Sequence, residues 1–182
     1  MRHLFFFFCL LVSLGAQAQT GKAAERVAQI RARYAEAKEL IAYNNSIPEA
    51  RNQLTVNGSF MCPGTGHRDE VIDYYFTSHF DEESNQYVST PYIIIRSYNV
   101  AVRKFYEELL YDEKGNLVFA FLSNDSFDPA VGRDEVRYYW GDQGEGLVHK
   151  TVKGEAEIDE VLVCRLANDL EEAFHRLMNR EF

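Results

Sequence analysis

Cys62 and His67 are the residues whose types and spacing come closest to a nucleophilic pair. They belong to the segment Met-Cys-Pro-Gly-Thr-Gly-His at 61–67. A histidine beside a cysteine can take up the thiol proton and so generate a nucleophilic thiolate. His79 and His149 are further histidines that folding could bring to the same thiol. The alternative interpretation is structural, because Pro-Gly-Thr-Gly is a typical turn sequence between two strands.

Cys62 and Cys164 are also candidates for a disulfide bond. In the chain-entropy model, a bridge that closes a loop of about 100 residues stabilises a protein by roughly 4–5 kcal/mol. The alternative is a pair of separate, partly buried thiols. The spacing of the two residues leaves both interpretations open.

Acidic residues offer candidates for metal binding and for acid–base catalysis. Two groups hold oxygen or nitrogen ligands: His67, Asp69 and Asp73, and Asn124, Asp125, Asp128 and Asp134. Neither group follows the ligand spacing of a zinc site or an EF-hand. Glu107 and Glu108 could contribute to a glycosidase carboxylate pair, but adjacent strand residues point to opposite faces. We therefore predict no metal and no cofactor, and we favour a protein that is not an enzyme.

Aromatic and arginine residues form the strongest candidate set for binding. They recur through the central segment, and the five that we predict to bind a ligand are Arg96, Arg103, Tyr106, Tyr139 and Trp140. Tyr, Trp and Arg are the residues that most often anchor interfaces. The alternative is that the aromatic rings fill the core, with arginine head groups at its edge.

Two amphipathic helices are predicted, one on each side of this central segment. From Gly21 to Asn45, apolar residues such as Val27 and Ile30 recur at spacings of three and four. The same period returns from about Glu155 to the end of the chain. Acidic residues crowd the first turns of this second helix and arginines the last, as the helix dipole favours.

The segment from about Gln53 to Val152 has the period of strands. Ile72, Tyr74 and Phe76 alternate with more polar residues, and turn sequences at 112–116 and 141–146 each separate two strand-like runs. Strands this close together pair antiparallel, since parallel pairs need long crossovers. We predict an α+β fold: an N-terminal helix, an antiparallel meander of six or seven strands and a C-terminal helix, with both helices packed on one sheet face.

The first 18 residues have the pattern of a cleavable signal peptide. A basic start at Arg2 precedes an apolar run at 4–14, and small residues follow at 15–18. The run is far shorter than the roughly 20 residues that a membrane-spanning helix needs. We therefore expect a periplasmic or secreted protein whose residues 19–182 form one domain, without a membrane span after cleavage.

The chain is acidic, with a formal net charge of −9, and its basic residues form no long cluster. Cleavage of the signal removes Arg2 but no acidic residue, so the remainder is one unit more negative. This charge argues against nucleic acid and anionic lipid as partners.

Three segments resemble a family of exported proteins of unknown function from Bacteroidetes-type bacteria. They are Pro-Gly-Thr-Gly at 63–66, Arg-Lys-Phe-Tyr-Glu-Glu-Leu-Leu-Tyr-Asp-Glu-Lys-Gly-Asn-Leu-Val-Phe-Ala at 103–120, and Glu-Val-Arg-Tyr-Tyr at 135–139. The turn at 141–146 is longer than the family pattern has. The resemblance implies a location in a Gram-negative envelope and brings no activity, substrate or site residue.

These observations predict an exported, non-enzymatic binding module. It would recognise an unknown protein or glycan through the sheet face that the two helices leave open. Two alternatives remain at this stage. One is a cell-envelope cysteine hydrolase that uses Cys62 with a histidine, and the other is an inhibitor of a lysozyme-like enzyme.

Overall fold

In the computed structural model, the described residues are 2–47, 52–83, 85–127, 130, 132–142, 146–155 and 159–179, with side chains from Gly21 onward. They form two helices and seven strands: α1 (Arg2–Ser46), β1 (Gln53–Cys62), β2 (Gly66–Asp81), β3 (Gln86–Val100), β4 (Arg103–Tyr111), β5 (Leu117–Asp125), β6 (Arg133–Trp140), β7 (Leu147–Lys153) and α2 (Glu160–Met178). The predicted α+β class is confirmed. Asp128, which belongs to one predicted ligand group, and part of the predicted 141–146 turn lie outside the described residues.

The seven strands form one sheet in which each strand pairs with its neighbours in the chain, in the order β1 to β7. Every pair is antiparallel, so the predicted meander is confirmed. The turn between β4 and β5 illustrates how the chain reverses direction between two antiparallel strands. Asp112 accepts hydrogen bonds from the backbone N–H groups of Lys114 and Asn116, both at 2.9 Å, and Gly115 takes a positive φ of 81°, which glycine adopts without steric cost.

The prediction that both helices pack on one sheet face is wrong, because they pack on opposite faces. Ile93 and Leu110 share a core cluster with Ile30 of α1, whereas their chain neighbours Ile94 and Leu109 share the other cluster with α2. We call these two sides the α1 face and the α2 face. The physical reason is that the central strands carry buried apolar residues on both faces, and each of these faces needs a cover.

Helix α1 lies on its face through Val27, Ile30, Ala37 and Ile41, all of them buried. Their spacing of three, seven and four keeps them on one side of the helix. Tyr34 adds a ring contact to Phe119 of β5, with centroids 5.2 Å apart. The amphipathic helix predicted for Gly21–Asn45 is therefore confirmed as the part of α1 that covers the sheet.

Helix α2 begins after Asp159, whose side chain accepts a hydrogen bond from Val161 N at 2.9 Å and so caps the first turn. Its buried residues are Val163, Ala167, Leu170 and Phe174. Leu162, the neighbour of Val163, is apolar but 55% exposed. Tyr111 anchors the middle of the helix by donating a hydrogen bond from its hydroxyl to Ala167 O at 3.0 Å.

No helix among the described residues is both long enough and apolar enough to cross a membrane.

Candidate ligand-binding groove

Helix α2 covers only part of its sheet face. Residues opposed on neighbouring strands form rows across this face, and the row that packs with α2 is Tyr74, Ile94, Leu109, Ala120 and Tyr138. The row four residues along each strand is polar and aromatic: Glu70, Tyr98, Phe105, Asn124 and Asp134. Between this row and the first turns of α2 lies a cavity of about 550 Å³, which we call the groove.

The walls of the groove combine apolar and charged side chains. Leu162, Val163 and Leu166 of α2 form one side, and Phe127, which follows β5, and Glu155, which precedes α2, lie at the rim. The strands β3 to β6 contribute the floor residues: Arg96, Tyr98, Arg103, Phe105, Glu107, Leu122, Ser123, Asn124 and Asp134. Ligand sites typically combine apolar walls with fixed polar groups, and this groove has both, with a larger share of polar side chains than is typical.

Arg96 is a charged residue of the floor that is paired with two carboxylates. Its Nη1 lies 3.1 Å from Glu107 Oε2, and its Nε donates to Glu70 Oε1. Tyr98 donates a hydrogen bond from its hydroxyl to the second oxygen of Glu107 at 3.1 Å. Burial, and then the Glu107 carboxylate, raise the pKa of Tyr98 to about 12. The hydroxyl therefore stays protonated at neutral pH and serves as a hydrogen-bond donor.

Arg103 is held in the groove by aromatic rings and by a backbone carbonyl. Its guanidinium carbon lies 3.8 Å from the ring centroid of Phe127 and 5.5 Å from that of Phe105. Its Nε and Nη2 donate hydrogen bonds to Asp125 O at 3.0 and 2.7 Å. Phe105 in turn stacks on Tyr98 with centroids 4.9 Å apart and the rings nearly parallel. These contacts fix the guanidinium in one orientation.

Asp134 is the buried acid of the groove, with 4% of its surface exposed. Its side chain accepts hydrogen bonds from Glu155 N at 3.1 Å and from Asn124 Nδ2 at 3.4 Å. Asn124 Nδ2 also donates to Asp125 O at 3.0 Å, which is the carbonyl that holds Arg103. One amide therefore connects the environments of Asp134 and Arg103.

The five residues predicted to bind a ligand do not form one surface. Arg96 and Arg103 line the groove. Trp140 also belongs to the α2 face, but it is buried and donates its Nε1 hydrogen to Glu160 Oε1 at 3.1 Å. Tyr106 and Tyr139 belong to the α1 face, where Tyr139 is 3% exposed. Two of the five residues thus have a core position, as the alternative interpretation expected.

Tyr106 takes part in a second polar cluster, beneath α1. Glu108, which is 3% exposed, accepts hydrogen bonds from the hydroxyls of Tyr34 and Tyr106. Lys38 Nζ lies 2.9 Å from the same carboxylate. Burial and the hydrogen bond to Glu108 raise the pKa of both tyrosines above the ordinary value. The cluster joins α1 to the centre of the sheet.

The structure does not bring Cys62 and His67 together. Met61 is the residue opposite His67 in the β1–β2 pair, so Cys62, the next residue, points to the other face. Cys62 and Cys164 are both free cysteines. The structure therefore corresponds to the alternative of two separate thiols.

His67 instead contacts a serine and an aspartate. Its Nε2 lies 3.2 Å from Ser59 Oγ and 2.9 Å from Asp69 Oδ1, and Ser59 Oγ donates to the same Asp69 oxygen at 2.9 Å. A catalytic relay needs the serine and the acid on different ring nitrogens. Here both contact Nε2, and the three side chains are exposed, so the cluster does not have the geometry of a triad.

The groove contains residues that the sequence analysis did not assign to binding. Their sequence context indicates Asn124 and Asp134 only as possible metal ligands. No three His, Cys, Asp or Glu side chains in the described part of the chain are placed to hold a metal ion. The sequence does contain a signal for these two residues. Asn124 and Asp134 follow the same strand alternation as the buried Leu122 and Val136. They are therefore polar residues on a face that is otherwise apolar at these strands.

Comparison with known proteins gives no match to a family model, to a curated protein or to a solved structure.

Proposed function

We propose that this chain is a non-enzymatic binding module that acts outside the cytoplasm and takes its ligand in the groove of the α2 face. The observation that carries the proposal is the groove itself. Its volume of about 550 Å³ falls within the range of roughly 300–1,000 Å³ that small-ligand sites occupy.

The side chains of the groove support recognition rather than bond cleavage. Arg96, Glu107 and Tyr98 satisfy one another through hydrogen bonds, so they form a rigid floor. Arg103 is fixed by Phe127 and Asp125 O. Side chains that are already ordered lose little entropy when a ligand binds, which favours affinity.

Two neighbouring residues of α2 allow a matched test of the groove. Leu162 lines it, whereas Val161 precedes Leu162 on the helix and is not among its lining residues. Both side chains are exposed, at 55% and 60%, so neither substitution disturbs the core. Leu162→Trp should fill the groove, and Val161→Trp is the control for adding a large ring to the same turn.

The measurement is the thermal unfolding midpoint in the presence of a tripeptide library and of chito-oligosaccharides. A ligand at 100 times its Kd stabilises the folded state by about 2.7 kcal/mol. We expect one of these ligand sets to raise the midpoint of the wild type and of Val161→Trp, but not that of Leu162→Trp. The proposal fails if no ligand shifts the wild type, or if Leu162→Trp responds as the wild type does.

Export is the other part of the proposal, and it rests on the signal pattern of residues 1–18. Cleavage after Ala18 keeps Val27 and the other described core residues of α1 in the mature chain. Expression of the full chain in a Gram-negative host should give a periplasmic protein whose first residue is Gln19. Ala16→Lys should block cleavage, because signal peptidases need small residues at these positions. N-terminal sequencing distinguishes the two results.

A further inference from the structure

We propose that the groove binds a zwitterionic ligand of the short-peptide class, with its carboxylate on Arg103 and its ammonium group on Asp134. This inference rests on the proposed function of the groove and specifies its ligand.

Some charged residues of the groove floor form ion pairs with each other, and others do not. Arg96 and Glu107 form an ion pair with each other, and Arg96 forms a second one with Glu70. Within the described residues, neither Arg103 nor Asp134 has an ion-pair partner. The groove therefore presents one unpaired cation, Arg103, and two described carboxylates without an ion-pair partner, the buried Asp134 on the floor and the exposed Glu155 at the rim. The backbone N–H of Glu155 donates to Asp134, so the two carboxylates belong to the same end of the groove.

Of the two residues, Asp134 gives the stronger support for a charged ligand. A carboxylate that is 4% exposed has lost most of its hydration, and this loss is costly unless charge-assisted contacts replace it. The described contacts of Asp134 are two hydrogen bonds from neutral groups, a backbone N–H and an amide. A ligand ammonium group would add charge-assisted hydrogen bonds, which are about twice as strong as neutral ones.

Arg103 provides the complementary position. Nε and Nη2 are engaged by Asp125 O, and the ring of Phe127 covers one face of the guanidinium. The Nη1 nitrogen has no hydrogen-bond partner among the described residues. A planar guanidinium held in this way is well suited to a carboxylate, because guanidinium and carboxylate match in geometry.

Asn124 fixes the relation between the two charged positions. Its Nδ2 donates to Asp134 and to Asp125 O, and this carbonyl also accepts the hydrogen bonds of Arg103. The same amide therefore connects the surroundings of the cation and of the anion. A ligand with an ammonium group at one end and a carboxylate at the other fits in one direction only.

The remaining walls favour a peptide over a single charged group. Leu162, Leu166 and Phe105 offer apolar surface in the same groove as the two charged positions. A peptide of two or three residues places its side chains there while its termini meet Asp134 and Arg103. A neutral sugar would leave both charges unpaired.

The test uses the mature protein, which begins at Gln19, and compares four ligand sets. They are a tripeptide library with free termini, the same library acetylated at the N-terminus, the same library amidated at the C-terminus, and chito-oligosaccharides. Equilibrium dialysis followed by mass spectrometry selects the tightest tripeptide, and calorimetry then gives its Kd. We expect each terminal modification to weaken binding at least tenfold.

Two variants assign each effect to its residue. In Asp134→Asn, the free and the acetylated peptides should bind equally, while amidation still weakens binding. In Arg103→Gln, the free and the amidated peptides should bind equally, while acetylation still weakens binding. Asp69→Asn makes the same chemical change at an exposed residue of β2 outside the groove, and it should behave as the wild type.

The outcomes separate this inference from the function on which it rests. If tripeptides bind but neither modification matters, or if only chito-oligosaccharides bind, the zwitterionic ligand is excluded and the binding groove stands. If none of the four sets binds, both proposals fail. The wild-type comparison with modified peptides is decisive even if a variant does not fold.

Discussion

Lys38 Nζ of α1 lies 2.9 Å from Glu108 Oε1 of β4, and this contact connects a partly exposed lysine to a carboxylate inside the α1 face. Tyr34 and Tyr106 donate their hydroxyl hydrogens to the same carboxylate. Three donors thus replace the water that Glu108 loses on burial. The cluster is a buried polar link between α1 and the sheet, and its removal should affect stability rather than binding in the groove.

Glu108→Gln should destabilise the fold. The amide keeps one acceptor oxygen, but it loses the negative charge that pairs with Lys38 and strengthens the two tyrosine hydrogen bonds. Hydrogen bonds to charged groups contribute about 1.5–3 kcal/mol, and we expect a loss of this size in the free energy of unfolding by urea. Glu113→Gln is the matched control, because Glu113 is exposed and its pair with Arg33 is 3.8 Å long. The interpretation is wrong if both variants change stability by less than about 0.5 kcal/mol.

Alkaline pH should unfold the protein through its buried tyrosines. The pKa of Tyr98 is raised to about 12, whereas an unfolded tyrosine titrates near 10. Above pH of about 10 the unfolded state loses a proton that the folded state keeps, so the free energy of unfolding falls as pH rises towards 12. Below pH of about 10 this contribution to stability is fully present.

The measurement is tyrosinate absorbance against pH, recorded together with circular dichroism. We expect the absorbance of the buried tyrosines to appear with loss of secondary structure. Tyr98→Phe should make the fall in stability between pH of about 10 and 12 less steep. Complete titration near pH 10 with an intact fold would contradict the burial of these hydroxyls.

Gly115→Ala should destabilise the β4–β5 turn for two reasons. Gly115 has a φ of 81°, and a Cβ added there would lie 3.0 Å from Glu171 Oε1 of α2. Gly64→Ala is the control, because Gly64 has a similar φ of 84° and no atom within 4 Å of the added Cβ. A left-handed non-glycine residue costs roughly 1–2 kcal/mol. Chemical denaturation should show this loss in both variants and a further loss in Gly115→Ala. Equal losses would mean that Glu171 moves aside freely.

The two free cysteines should differ in reactivity. Burial, and then the Glu160 carboxylate, raise the pKa of the Cys164 thiol, so less of it is present as the reactive thiolate. Iodoacetamide applied to the folded, unreduced protein should alkylate Cys62 before Cys164, as peptide mass spectrometry can show. A peptide in which the two residues are joined would contradict the structure and restore the disulfide interpretation.

Local signals in the sequence predicted the elements and the antiparallel meander, but not which sheet face each helix covers. Asp112 and Gly115 indicate the β4–β5 turn, and the spacing of Val27, Ile30 and Ile41 indicates α1. Both patterns can be read from the sequence because they depend on residues that are close together in the chain. The apolar run at Ile93–Ile95 is typical of a strand that is covered on both faces, and both Ile93 and Ile94 are buried. Which helix packs on which sheet face depends on contacts between residues that are distant in the sequence. The periodicity of apolar residues contains no information about such contacts.

The candidate site was predicted in part for the same reason. Arg96 and Arg103 were recognised because arginines on a strand are conspicuous, whereas Tyr139 and Trp140 are core residues despite having the composition of an interface. Asp134 could be assigned to the groove only after the register placed it opposite Asn124. A sequence shows which residues are polar, but the fold decides which polar residues lose their water.

The position of α2 after all seven strands has a consequence for how the protein matures. The floor of the groove comes from β3 to β6, but its Leu162 and Leu166 wall comes from a helix that the ribosome makes later. The seven strands and α1 can therefore assemble before the α2 wall of the groove is in place. The groove is complete only when the final helix packs over the second face.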